Sequence, residues 1–142
     1  MEVTPQFQLK FHGVDIPVIN LQANRVLPSN HDHSIVIEIS PKVFYPNDEP
    51  NFFKIIQEIS LSLENYFTLS VVAFGTFEFI GTIDEHIKKS FVNLNAPAIM
   101  FPYVRSFITT LTSNLGNTTG TLTIPPQFFK GEIQVIDILE PK

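Results

Sequence analysis

The alternation of apolar and polar residues divides the chain into an extended first two-thirds and a helical stretch behind it. Phe7, Leu9 and Phe11 alternate with Gln8, Lys10 and His12, the two-residue period of a half-buried strand. Gly13 permits a bend or bulge, and the chain continues extended through Ile16, Val18 and Leu21. Asn24 to His33, broken by Pro28, Ser29 and Asn30, reads as a loop. Ser34 to Ser40 is a second strand, with Ile35, Ile37 and Ile39 on one face, Val36 and Glu38 on the other, and Pro41 as its end. Pro41 to Pro50 reads as a loop carrying Phe44 and Tyr45. In Phe53 to Glu64, a third strand, Phe53, Ile55, Ile59, Leu61 and Leu63 oppose Lys54, Glu58, Ser60, Ser62 and Glu64. One dry and one wet face is the mark of an antiparallel sheet packed on one side. The fourth strand, Phe67 to Ile80, carries Phe67, Leu69, Val71, Ala73, Phe77 and Phe79 inward. Gly75 in its middle marks a bulge or a close backbone approach. Val72 and Phe74 on the opposite face predict that part of that face is covered as well.

The period then lengthens. Ile83, Ile87, Phe91 and Leu94 recur at helical spacing, with Thr82 and Glu85 placed as a capping box. Asn95 is placed to cap a second, longer helix with Pro97 in its first turn. Its apolar stripe is Met100, Phe101, Val104, Phe107, Ile108, Leu111 and Leu115, and Gly116 is a natural stop. Pro102 either kinks this helix or marks its true start. Its far side carries Thr109, Thr110, Thr112 and Ser113, with Arg105 as the only charge. Such a face suits contact with another subunit as well as it suits a polar surface, so Arg105, Thr109, Thr112 and Ser113 are candidate oligomer-interface residues. After a turn at Asn117 to Gly120 and the break at Pro125 and Pro126, Glu132 to Leu139 is β-branched enough for a last strand.

Composition narrows the functions open to the chain. It has 142 residues, the size of one ordinary domain, and a net charge of −5 with pI ≈ 5.2. An acidic surface is unsuited to nucleic acid, which is bound through released counterions. The chain has no cysteine, which excludes disulfides and thiolate chemistry. Charged residues are 16% of the chain, against about 25% in an ordinary soluble domain. There are 14 Phe, 3 Tyr and no Trp. Such a surplus fits either a Phe-rich core or an apolar surface meant for an oligomer or an apolar client. No stretch has the length of apolar residues that a membrane span needs, and Met1-Glu2-Val3 lacks the basic start of a signal peptide. The cytoplasm is the expected compartment.

Candidate catalytic residues are few. His31 and His33 flank Asp32 on a loop, but no HxxxH or HExxH follows. Asp84, Glu85 and His86 are adjacent, so a helix points them apart; the two acids suit its N-terminus. There is no GxSxG, GxGxxG or GxxxxGK[ST]. The expectation is a protein that is not an enzyme and holds no metal or cofactor.

Phe101-Pro102-Tyr103-Val104-Arg105, continuing to Ile108, Thr109 and Ser113, resembles the signature of the SecB family of protein-export chaperones. That family opens its long helix with an FPYAR-like run, with a proline shortly before it, as Pro97 is here. Leu122, Ile124, Pro126 and Phe128 resemble its Leu-x-Leu-x-Pro-x-x-Phe segment, and Phe67, Gly75, Phe77 and Gly81 its fourth strand. The resemblance covers about residues 7–130 of a single domain spanning 1–142; residues 131–142 diverge.

The resemblance implies an α+β fold, a four-stranded antiparallel sheet followed by a short and a long helix packed on one side. It implies an ATP-independent holdase that assembles as a dimer of dimers, binds unfolded or precursor polypeptides in long apolar grooves and keeps them unfolded for export. It implies SecA as a partner, and some relatives protect an antitoxin instead. The candidate client-binding residues are Phe44, Tyr45, Phe52, Phe53, Phe74, Phe128 and Phe129. Two departures stand out. Asp15 is the only match to the family's acidic translocase-binding residues, while Ser70 and Ile19 hold positions that are usually acidic. The family's second helix is replaced by the strand-like Glu132 to Leu139. Three readings follow: a general holdase, a chaperone dedicated to one partner, and a small-molecule or enzymatic domain built on His31, His33 and His86.

Overall fold

β-branched and aromatic residues at every second position build four long strands: β1 (Leu9–Ala23), β2 (Val36–Phe44), β3 (Phe52–Leu63) and β4 (Phe67–Phe79). The structure is a computed structural model, described here for residues 8–28, 34–127 and 131–137. The four strands pair antiparallel, and a three-residue β5 (Gln134–Ile136) adds to β2 in parallel. The sheet therefore has five strands, in the order β1-β4-β3-β2-β5, rather than the four expected. The expected last strand exists but is short, and its alternative, a second C-terminal helix, is absent from residues 131–137.

Gly13 does bend the first strand. It sits at φ +112°, and the β1–β4 register slips between Phe11 and Gly13, leaving His12 as the extra residue. A second slip follows between Asp15 and Val18. Pro41 does not end β2, which runs on to Phe44. β5 joins β2 only from Lys42, so among the described residues Pro41 lies on an open edge, where its missing N–H costs no ladder bond on that side.

The helical region differs from two separately capped helices. α1 (Glu85–Ser90) is capped by Asp84, whose carboxylate accepts from the His86 N–H at 3.1 Å; Thr82 is not the cap. Phe91–Asn95 continues without a break as a π-helical turn into α2 (Ala96–Ser113). Asn95 is helical and caps nothing. The Ala96 N–H reaches back five residues to the Phe91 carbonyl. Pro97 has no N–H to close the ordinary bond to Asn93, which accounts for a widened turn at this point. No helix among the described residues is long and apolar enough to cross a membrane.

α2 covers the inner face of the sheet with Met100, Phe101, Val104 and Ile108, all buried. Beneath it a row of rings crosses the strands. Phe11 stacks on Phe77 at 5.1 Å, Phe77 on Phe53 at 5.4 Å, and Phe53 meets Phe79 at 4.8 Å. Phe53, Phe67, Phe74, Phe77, Phe79 and Phe101 are all buried, so much of the Phe surplus is core. Gln57 is the polar exception on this face. It is wholly buried and donates its amide to the Pro97 carbonyl at 3.2 Å, while its Oε1 has no partner.

The hydroxyl side of α2 is bound within the chain. Arg105 Nε donates to the Ile124 carbonyl at 2.7 Å and Thr109 Oγ1 to the Leu122 carbonyl at 3.0 Å. Thr112 Oγ1 accepts from the Leu122 N–H at 2.9 Å. Burial alternates along residues 121–124, as in an extended chain. Four helical residues advance about 6 Å and two extended residues about 6.6 Å, so Arg105 and Thr109 match Ile124 and Leu122 in step. This clamp holds the segment antiparallel to the helix.

Candidate polypeptide-binding groove

A groove of about 380 Å³ opens where the end of β2, the α1 and π-helical segment, and the strand-like C-terminal segment meet. Val43 near the end of β2 and Tyr45, the residue just after it, form one wall. Glu85, Lys88 and Lys89 of α1, with Val92 and Asn93 of the π-helical turn, form the second. Glu132, Ile133 and Val135 form the third, and Phe79 and Pro50 complete the lining. A neighbouring depression shares Lys89, Asn93 and Glu132 and adds His86, Ser90, Leu94 and Gly131. Tyr45, Ile87, Leu94 and Val135 leave apolar surface exposed around this region.

The groove lining is mixed: Val43, Tyr45, Phe79, Val92, Ile133 and Val135 share it with Glu85, Lys88, Lys89, Asn93 and Glu132. Lys88 stands 5.3 Å over the Phe79 ring and 3.6 Å from Glu85. Tyr45 is 43% exposed, with its ring 6.4 Å from Phe53. Partial burial raises the pKa of its phenol, and the Glu85 carboxylate raises it further. The hydroxyl stays protonated and can donate a hydrogen bond. One polar tie crosses the groove: the Ile133 N–H donates to Asn93 Oδ1 at 2.9 Å.

The expected client-binding residues do not form one surface. Tyr45 lines the groove. Phe44, the last residue of β2, points to the opposite side of the sheet from Val43. There it packs with Ile136 and Val18 around a second cluster of Ile56, Val72 and Phe74. The Val72 and Phe74 side of β4 is thus covered, as its sequence pattern predicted. Phe52 is half-buried on that outer side, its ring 5.3 Å from His12, which bonds Glu78 at 2.9 Å. Phe53 is a correction. It is fully buried between Phe77 and Phe79 and offers nothing to a client. Phe128 and Phe129 lie outside the described residues.

Of the expected oligomer-interface residues, Thr112 is buried, and Arg105 and Thr109 are bound to residues 122–124; Ser113 is exposed. Asp15 is exposed on β1 opposite Phe74, Ile19 is exposed, and Ser70 faces Asn20 across the β1–β4 ladder. His86 lines the smaller depression, and His31, Asp32 and His33 lie outside the described residues. No group of three metal-ligating side chains occurs among the described residues.

Sequence reasoning missed Asn93, Ile133 and Val135, which meet only because residues 131–137 return to β2. It also missed Gln57. There the signal was present: a lone polar residue at an odd, inward position of an apolar period.

A five-stranded sheet covered on one face by a long helix with an FPYVR opening is a SecB-like α+β fold. The structure superposes with a TM-score of 0.69 on the Mycobacterium tuberculosis Rv1957 SecB-like chaperone, solved in complex with a ChAD peptide from the Rv1956 HigA1 antitoxin. The match covers 83% of this chain and 90% of that one, at 14% identity. In sequence, the chain belongs to the family of the uncharacterized protein MJ0357 of Methanocaldococcus jannaschii. The two are 32% identical over 119 residues, 80% of this chain and 76% of the other. No family model matches the sequence.

Proposed function

We propose that the protein is a non-enzymatic, ATP-independent chaperone that binds extended, non-native polypeptide segments. The observation that carries this reading is the groove beside Tyr45, a trough lined by apolar and charged side chains together, in a fold shared with a peptide-binding chaperone. Its lining sets apolar contacts beside long charged side chains that can reorient, which suits many sequences better than one. The protein acts as a holdase in the cytoplasm and assembles with copies of itself. The exposed side of α2, with Ile99 and Tyr103, supplies an uncharged surface for that assembly.

A second reading is favoured by two observations. The structural neighbour carries an antitoxin peptide, and Ser70 stands at a position where the resemblance calls for an acidic residue, with Glu38 and Glu58 the acids beside it. Both support a chaperone dedicated to a single partner rather than one that delivers precursors to SecA. Fluorescence anisotropy against a panel of unrelated unfolded polypeptides tests the two. Comparable binding across the panel supports the general holdase. Binding confined to one sequence supports the dedicated chaperone, and binding to none of them, or to folded forms equally, overturns the proposal.

A further inference from the structure

β5 is a weak strand in a strategic place. It pairs Gln134, Val135 and Ile136 with Lys42, Val43 and Phe44 and makes no other strand contact among the described residues. Parallel pairing is the less stable kind, and three residues give little of it. Without β5, the edge of β2 would present bare N–H and C=O groups, the template on which an extended chain adds. Among the described residues, that edge has no strand partner from Val36 to Pro41.

The side chains of β5 occupy two apolar seats at once. Val135, 58% exposed, stands on the wall of the Tyr45 groove. Ile136, half-buried, packs on the other side of the sheet with Phe44 and the Ile56, Val72 and Phe74 cluster. Besides the ladder, the segment is held by the bond from Ile133 to Asn93. Glu132 and Asp137 flank it, both exposed, and Glu132 shares the groove lining with Lys88 and Lys89.

We infer that residues 132–137 are a built-in stand-in for the client: β5 fills the seat of an extended partner segment and must leave the β2 edge for the partner to enter. This rests on the groove being a polypeptide-binding site. The stand-in also states the partner's chemistry. It is an extended segment with two adjacent branched apolar residues, one for the groove beside Tyr45 and one for the outer cluster beside Phe44, with acidic residues on its flanks.

The test uses a fluorescent peptide with the sequence of Gly131 to Asp137 as the probe, on the wild-type protein and on two variants, Val135→Pro and Ile136→Ser. Proline cannot serve in the ladder, and serine gives up the seat beside Phe44. A tethered segment bound nine-tenths of the time lowers apparent affinity about tenfold, so both variants should bind the peptide about tenfold more tightly than wild type. In wild type, saturating peptide should accelerate amide exchange at Ile133 to Ile136. Unaltered exchange in wild type, or variants with wild-type melting that bind no more tightly, overturns the inference. Suppressed client aggregation by wild type together with either negative result leaves the chaperone reading standing without the stand-in. Peptide capture as expected with no effect on client aggregation does the reverse.

Discussion

The Sδ of Met100 in α2 lies 2.8 Å from the point where a Cβ on Gly75 of β4 would stand. The helix rests on the sheet there because the sheet has no side chain. Phe77 Cε2 crowds the same point at 3.0 Å. Gly75→Ala should therefore cost about 1–3 kcal/mol, the usual penalty of overpacking. Met100→Ala in the same chain should return part of it, because the thioether is the flexible partner. Urea denaturation of the two single variants and the double variant measures this; additive losses would show that the two positions do not press on each other.

Thr112→Val preserves shape but leaves the Leu122 N–H buried without its acceptor. The expected loss is about 1–3 kcal/mol. The amide proton of Leu122 should exchange faster in the variant, while those in the middle of β3 keep their relative order. Arg105→Ala should loosen Ile124 in the same way.

Phe53→Ser and Tyr45→Ser should separate core from groove. The first empties a fully buried site and should unfold the protein or cost about 3–5 kcal/mol. The second removes a half-exposed ring and should keep the melting temperature within a few degrees while weakening client binding. Equal loss of stability in both would contradict the assignment of Tyr45 to the groove.

Tyr45 also predicts an alkaline effect. Its folded pKa is raised above 10.0 by burial and by Glu85, so the unfolded chain gives up this proton first. The contribution is present in full below pH 10 and is lost as pH rises through the folded value. Stability measured between pH 9 and 11 should fall less steeply in Tyr45→Phe than in wild type.

The strands were legible because a two-residue period is a direct record of which side faces the core. Ile35, Ile37 and Ile39, or Leu69, Val71 and Ala73, state their orientation outright. Gly13 and Gly75 were legible for the same reason, as gaps in that record. The π-helical turn was hidden because Asn95 followed by Pro97 is also how a fresh helix begins. Phe53 shares its apolar face with Ile55 and Ile59, so its burial was legible, whereas Tyr45 was read as part of a loop and only the fold brings it to the groove. The groove was hidden most completely. Its walls are far apart in sequence, and β5 reaches β2 through a pairing that no local pattern announces. The hydroxyl residues of α2 were visible as a face, but the partner they take, Leu122 to Ile124, follows from the fold.

The central claim is tested most directly by the light scattering of a refolding client at equimolar subunits without nucleotide, comparing wild type with Tyr45→Ser. The account predicts that wild type suppresses aggregation and that Tyr45→Ser, folded and equally stable, suppresses it markedly less. Unchanged aggregation in the presence of wild type, or full suppression by the variant, would contradict it.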